Sequence, residues 1–311
     1  MTKNLSLLAA SMIALLVAAS PALALSSRTF VSGVGTDTGT CPVATPCRTF
    51  AYALTQTAPS GEIIVLSSAG YGTVTINQAV SIINTSNFAG VTVASGNGIT
   101  INAGTTDSVT LRGLTVDGGG TGSNGIVFNS GGKLTIDQCN VLNFVGLGTT
   151  GNGIIIQPTS GNQKIVITNT TASNNQYVGV YYFPPSGTAN TGNVIDRVSA
   201  NNNGYGIAIN NTNSSGTATA SISNSIASFN FAYGFYFGNV TASLDASYAS
   251  GNDDGVYLLS GTLALGRSVL MNNSAYGLNI GGGTVNSYKD NRIAGNGVGP
   301  VFGTPGTATL Y

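Results

Sequence analysis

Asn230-Phe231-Ala232-Tyr233-Gly234-Phe235-Tyr236-Phe237 is followed, 22 residues on, by Asn252-Asp253-Asp254-Gly255-Val256-Tyr257-Leu258, and the same phrase can be traced from Ile165 to Asn296. An Asn recurs at Asn175, Asn203, Asn230, Asn252, Asn273 and Asn296, at intervals of 28, 27, 22, 21 and 23 residues. Three or four residues after each comes a Gly, at 179, 206, 234, 255, 277 and 299, and all but the last open an apolar-x-apolar triplet. Eight positions before each Asn lies Ile167, Ile195, Ile222, Leu244, Leu265 or Tyr288; three before lies Ala172, Ala200, Ala227, Ala249, Leu270 or Ile293. Towards the N-terminus, Leu111 with Val116 and Ile136 with Val141 keep the pattern without the Asn. Self-similarity at this period belongs to a solenoid. Within each turn, short runs of period-two alternation are separated by Asn, Gly and Ser, which reads as strands joined by tight corners.

Stacked turns put equivalent residues about 4.8 Å apart. The aliphatics then line a continuous interior, and each Asn amide can donate to and accept from the Asn above and below it. The six asparagines are therefore expected to form a structural ladder at one corner, where Asn also tolerates a left-handed backbone. The early strands, Glu62-Ile63-Ile64-Val65-Leu66 and Val74-Thr75-Ile76 among them, are expected to lack such a ladder.

Turns of this length, with phrases such as Asn124-Gly125-Ile126-Val127-Phe128 and Asn152-Gly153-Ile154-Ile155-Ile156, resemble the right-handed parallel β-helix proteins of the pectin-lyase-like superfamily over roughly residues 60 to 300. The resemblance implies an all-β, single-stranded right-handed parallel β-helix. It implies little about activity, because that architecture hosts lyases, hydrolases, adhesins and inert scaffolds.

Only 6% of the 311 residues are charged and the net charge is zero, against about 25% charged in ordinary soluble proteins. A neutral exterior of Thr, Ser, Asn and Gly suits carbohydrate or self-association, and no basic patch is present for nucleic acid. Lys3, the apolar run Leu5 to Val17 and Pro21-Ala22-Leu23-Ala24 read as a signal peptide over residues 1–24, cleaved before Leu25,. The mature chain is expected in the periplasm or outside the cell, without membrane insertion. In that oxidising setting Cys41 and Cys47, around a Pro-rich loop, are expected to form a disulfide, and Cys139 to be a buried apolar thiol.

Residues 25–59 read as an entry segment and cap. From Cys47 to Ala58 the spacing turns helical, with Phe50, Ala53, Leu54 and Thr57 on one face,. A short amphipathic helix there would close the open end of the apolar tube. The coil spans 60–300, and 301–311 form a tail that covers the lower end or adds a last irregular strand. Asp117-Gly118-Gly119-Gly120-Thr121-Gly122 is a turn, since no helix and no Lys-Ser/Thr pair follows it,.

The chain has no His. That excludes Ser-His-Asp and Cys-His nucleophile systems and His-ligated zinc, as well as the Gly-His-Gly element the resemblance would imply for a glycoside hydrolase. Asp253-Asp254 resembles the paired acids of polygalacturonases; a catalytic pair, a calcium-binding corner and a solvated turn all remain open. Calcium is the one cofactor such acids could hold. A further outward column reads Arg112, Asp137, Thr168, Asp196, Ser223, Asp245, Gly266, Lys289, with Asp137, Asp196 and Asp245 on alternate turns, roughly 10 Å apart,. Uronate lyases of the superfamily use calcium-binding acids with an Arg or Lys base, so Asp196, Arg197, Asp245 and Arg267 are the catalytic candidates that the resemblance implies.

The middle residue of each Gly-opened triplet points outward while its neighbours point in. This gives the column Thr100, Val127, Ile155, Tyr181, Ala208, Tyr236, Tyr257, Asn279. Exposed apolar stripes mark contact surfaces, and Tyr rings can stack on sugars; a loop beginning at Pro184-Pro185 could instead cover the stripe. The leading expectation is a secreted β-helix that binds polysaccharide or a cell-envelope glycan through Tyr181, Tyr236 and Tyr257. The alternatives are a calcium-dependent polyuronate lyase and an inert structural or adhesin subunit.

Overall fold

The structure, a computed structural model, describes residues 25–190 and 192–308. The expected signal peptide, residues 1–24, and the last tail residues, 309–311, lie outside the described residues. The chain winds as a right-handed parallel β-helix with three faces. Sheet 1 has twelve strands, from Ser26–Val31 to Gly306–Thr307, and sheet 2 has ten, from Val74–Ile76 to Gly299–Phe302. The third face is a five-stranded and a three-stranded sheet, joined by isolated parallel bridges through Ser199 and Ile226.

Register follows the sequence pattern closely. Leu111, Ile136, Ile167, Ile195, Ile222, Leu244 and Leu265 are vertical neighbours in sheet 1, and all are buried. The triplets of sheet 2 send Phe128, Ile156, Tyr182, Ile209, Phe237 and Leu258 into the same interior. The last turn departs from expectation. Leu265 pairs with Ser287, so Tyr288 lies opposite Gly266 instead of continuing the inner column. The corner fixes this register: Lys289, with φ +63°, repeats the left-handed residue Arg267, with φ +49°.

The six asparagines form one stack. Nδ2 of Asn175, Asn203, Asn230, Asn252 and Asn273 donates to Oδ1 of the next Asn at 3.0, 3.2, 2.9, 3.0 and 3.0 Å. The backbone N–H of each donates to that same oxygen. Each Nδ2 from Asn203 on also donates to the carbonyl of the aliphatic residue three positions before the preceding Asn, as Asn230 does to Ala200. The corner's backbone groups are thereby paired without water, which a buried corner requires.

Two further ladders were not read from the sequence. Asn97, Asn124 and Asn152, just before the glycines of the early triplets, bond amide to amide at 3.1 and 3.0 Å, so the early turns do carry a ladder, in a different column. It stops where the next position is Val178, and Asn152 Oδ1 is left buried without a partner. At the opposite corner, the hydroxyls of Ser225, Ser247 and Ser268 accept the N–H of the equivalent residue one turn earlier and donate to the carbonyl two residues before themselves.

Helix α1, Phe50–Gln56, closes the N-terminal end. Thr49 caps it, and Phe50, Ala53, Leu54 and Thr57 are buried, with the Phe50 ring 5.0 Å from that of Tyr71. Cys41 and Cys47 form the expected disulfide. Their loop lies along the first strand: Phe30 N–H donates to the Cys41 carbonyl and Cys47 N–H to the Phe30 carbonyl. This loop covers a sheet edge that would otherwise recruit another chain. Cys139 is free and buried, and burial pushes its thiol up to about 12.

Candidate functional site

The acidic column of sheet 1 is in register as read: Asp137, Thr168, Asp196, Ser223, Asp245, Gly266. Each acid is answered by the following turn. Thr168 Oγ1 and Asn169 Nδ2 donate to Asp137; Ser223 Oγ and Asn224 Nδ2 donate to Asp196 at 2.8 Å each. The Asn224 bond is the largest influence holding the Asp196 carboxyl below its ordinary range, with Ser223 and Arg197 adding to it. Arg197 pairs with Asp196, and its Nε donates to Asn169 at 2.7 Å. Arg267 forms a two-point pair with Asp245, lowering the acid and raising the guanidinium.

That is the wrong direction for a lyase base, which must give up its proton to act. Arg197 and Arg267 also share the left-handed corner column with Asn224 and Ala246 between them. They are three turns, about 14 Å, apart and do not converge. The four residues form two separate surface pairs rather than one catalytic group.

Asp253 and Asp254 diverge too. Asp253 is exposed and accepts from Ser274 Oγ at 2.8 Å, whereas Asp254 is only 3% exposed and accepts from Tyr276 N–H and Asn279 Nδ2. Neither the shared solvated turn nor a joint calcium corner fits this divergence. Among the described residues no cluster of three or more acids or thiols could hold a metal.

Burial raises the Asp254 carboxyl above its ordinary range, outweighing its two hydrogen bonds. The folded state thus binds the proton more tightly than the unfolded chain, so protonation favours folding. The stabilisation is complete below the ordinary carboxylate value of 3.8 and is lost as pH rises through the raised folded value. Asp254→Asn is expected to raise the urea midpoint at pH 7, with the gain shrinking towards pH 4. Midpoints that differ equally at both pH values would exclude ionisation as the cause.

The aromatic column is where the structure adds most. The triplet middles do point away from the tube, but Val127, Ile155, Tyr181 and Ala208 are buried in a second apolar cluster outside it. Tyr181 is 5% exposed, its ring stacked on Phe183 at 4.8 Å and met edge-on by Tyr177. As a contact residue Tyr181 is therefore corrected: it is packing. The reason is ring size, since an aromatic side chain on a lattice with a 4.8 Å rise leans over its neighbours, here the small Ala208. Tyr236 and Tyr257 stay half-exposed.

Tyr177, Tyr205 and Tyr233 join them, and the sequence reading passed over all three. Tyr205 and Tyr233 occupy the position before the glycine, three residues from the triplet's middle, where simple alternation would put them on the other face; both rings nevertheless meet that of Tyr236. Rings along this belt lie 4.8 to 5.9 Å apart, with Tyr233 and Tyr257 stacked at 4.8 Å. None of the ten strands of sheet 2 contains Lys or Arg, and Asp254 is their single acid.

No family model matches the chain, and no curated protein matches it. Among solved structures it is similar to one described as "Crystal structure of pectate lyase Pel9A", with 13% sequence identity, 86% of this chain and 78% of that chain covered, and a TM-score of 0.49. A likeness of that degree carries nothing about chemistry. The in-register columns themselves establish the architecture, a right-handed parallel β-helix.

Proposed function

We propose that this protein binds polysaccharide on the outer face of sheet 2 and does not cleave it. The observation that carries this reading is the belt of half-exposed tyrosines, Tyr177, Tyr205, Tyr233, Tyr236 and Tyr257, on a face without basic side chains. Tyrosine offers an apolar ring and a hydroxyl together, the combination that suits ligands with both kinds of surface. With Tyr205, Tyr233, Tyr236 and Tyr257 stacked on one another, hydrogen bonds from their hydroxyls to sugar hydroxyls are the contacts this reading assigns to them. Against catalysis stand the engaged carboxylates and the raised Arg267. The disulfide and the apolar leader support an exported protein acting on a glycan outside the cytoplasm.

Tyr236→Phe with Tyr257→Phe removes the hydroxyls and keeps the ring packing. Retention on immobilised glycans is expected to fall about tenfold, as for two lost hydrogen bonds near 0.7 kcal/mol each, while the melting temperature stays put. Incubation of the wild type with pectate and calcium is expected to yield no unsaturated-product absorbance. Unchanged retention in the double variant, or product formation, overturns the reading. Tyr181→Ala does not belong in such a test, because it opens a cavity and weakens the fold.

A further inference from the structure

The belt continues around the ladder corner onto two phenylalanines. Phe231, the residue after ladder Asn230, is 90% exposed, and Phe229, the residue before it, is 67% exposed. Among the described residues neither ring pairs with another ring. Exposing a Phe this fully forgoes about 2 kcal/mol of burial. Phe229 also sits at φ +57°, where the equivalent positions are Asn174, Asn202, Gly251, Asn272 and Gly295. A bulky residue there is unusual, and a strained, exposed apolar pair marks a functional surface.

The corner column reads Gln176, Gly204, Phe231, Asp253, Ser274, each the residue after a ladder Asn. Gly204 leaves a notch between Gln176 and Phe231, which stand two turns, about 10 Å, apart. A Cβ at Gly204 would lie 2.5 Å from the Tyr177 carbonyl oxygen, so no side chain can fill the notch. The resulting cavity, about 430 Å³, is walled by Phe231, Tyr205, Tyr177 and Leu147, and lies within the range of small-ligand sites. Its polar groups are amides. Gln176 Oε1 accepts from Gly146 N–H at 2.7 Å, which fixes the side chain and leaves its N–H groups as donors; Asn202 is exposed beside it. No charged residue lines this cavity.

A flat apolar wall with a free face, a gap one ring wide and amide donors at its rim match a pyranose, which has an apolar C–H face and a hydroxyl edge. Tyr205, Tyr233, Tyr236 and Tyr257 each stack on another ring of the belt, whereas Phe231 pairs with none among the described residues. We propose that the notch over Gly204 is a sugar subsite in which Phe231 stacks on one ring of an uncharged polysaccharide, with Gln176 and Asn202 meeting its hydroxyls. This deepens the glycan-binding reading and rests on it. It also fixes the class of ligand: a uronate carboxylate would find no cation here or on any strand of sheet 2, so an acidic polymer is disfavoured.

The test is calorimetric titration of the intact protein with uncharged hexasaccharides of glucose, xylose or N-acetylglucosamine, and with hexagalacturonate. Wild type is expected to bind an uncharged hexamer at least tenfold more tightly than hexagalacturonate, with affinity unchanged between 50 and 500 mM salt. Phe231→Ala is expected to lose at least tenfold in affinity without change in melting temperature, and Phe231→Trp to retain it. If Phe231→Ala binds like wild type while Tyr236→Phe with Tyr257→Phe weakens binding, the subsite is wrong and the glycan-binding reading stands. Preference for hexagalacturonate overturns the ligand class alone. If none of the hexamers binds, both the reading and the subsite fall.

Discussion

Asn230→Ala is expected to cost about 4 kcal/mol of stability and to broaden the urea transition. Asn230 Oδ1 accepts both the N–H and the Nδ2 of Asn203, while its own Nδ2 serves Asn252 Oδ1 and the Ala200 carbonyl. Truncation therefore orphans two buried donors and one buried carbonyl, each worth about 1–3 kcal/mol, partly offset by relaxation. Nothing small and polar is left to take over, since the neighbours above and below are already spoken for. In a solenoid, stability is passed between nearest neighbours, so a break in mid-stack also uncouples the turns on either side. Asn296→Ala, at the end of the stack, frees the equivalent groups on Asn273 and Leu270, but there the site is half-exposed, so water can take over their hydrogen bonds, and no further amide hangs from Asn296. It is expected to cost less than half as much. Equal losses at the two sites, or a loss below 1 kcal/mol at Asn230, would contradict a cooperative amide stack.

The sequence disclosed the vertical order because that order is carried by identity: Asn over Asn and aliphatic over aliphatic leave a periodic trace. The cap was legible for the same kind of reason, as Phe50, Ala53, Leu54 and Thr57 change the period. What stayed hidden depends on size rather than type. Whether Tyr181 faces solvent is decided by the lean of Tyr177 and Phe183, and alternation says only that it points away from the tube. The Ser225, Ser247 and Ser268 column was masked by the abundance of Ser and Thr elsewhere. The one-residue shift that turns Tyr288 outward follows from where the left-handed corner residue Lys289 falls, which hydrophobic spacing does not record. The exposed ring of Phe231 was in view from the start, but in a linear frame it looked like one more variable corner residue beside Gln176 and Gly204.

The glycine column shows the opposite case, a pattern plain in the sequence whose cause lies wholly in the stacking. A Cβ on Gly234 would stand 2.6 Å from the Gly255 carbonyl oxygen and 2.9 Å from both the Ala227 carbonyl oxygen and Asn252 Nδ2. Gly153, Gly179, Gly206 and Gly255 meet the same pair, the next glycine's carbonyl and a ladder amide, at 2.6 to 2.9 Å. The Gly that trails each Asn is thus the space the ladder amide and the next turn's backbone occupy. Two of the obstacles at Gly234 are main chain held by the ladder and by sheet pairing, so neither can move aside without lengthening several hydrogen bonds. Gly234→Ala is expected to cost about 3 kcal/mol or more, at the upper end for overpacking. Gly299 closes the same column on the edge strand of sheet 2 among the described residues; a Cβ there meets only the Tyr276 ring at 3.6 Å. Gly299→Ala is expected to change stability by less than about 0.5 kcal/mol, as at an unconstrained surface position. Urea midpoints for the two variants separate the explanations. If the glycines serve conformational freedom alone, the two substitutions cost alike; if they make room for the stack, only the inner one is felt.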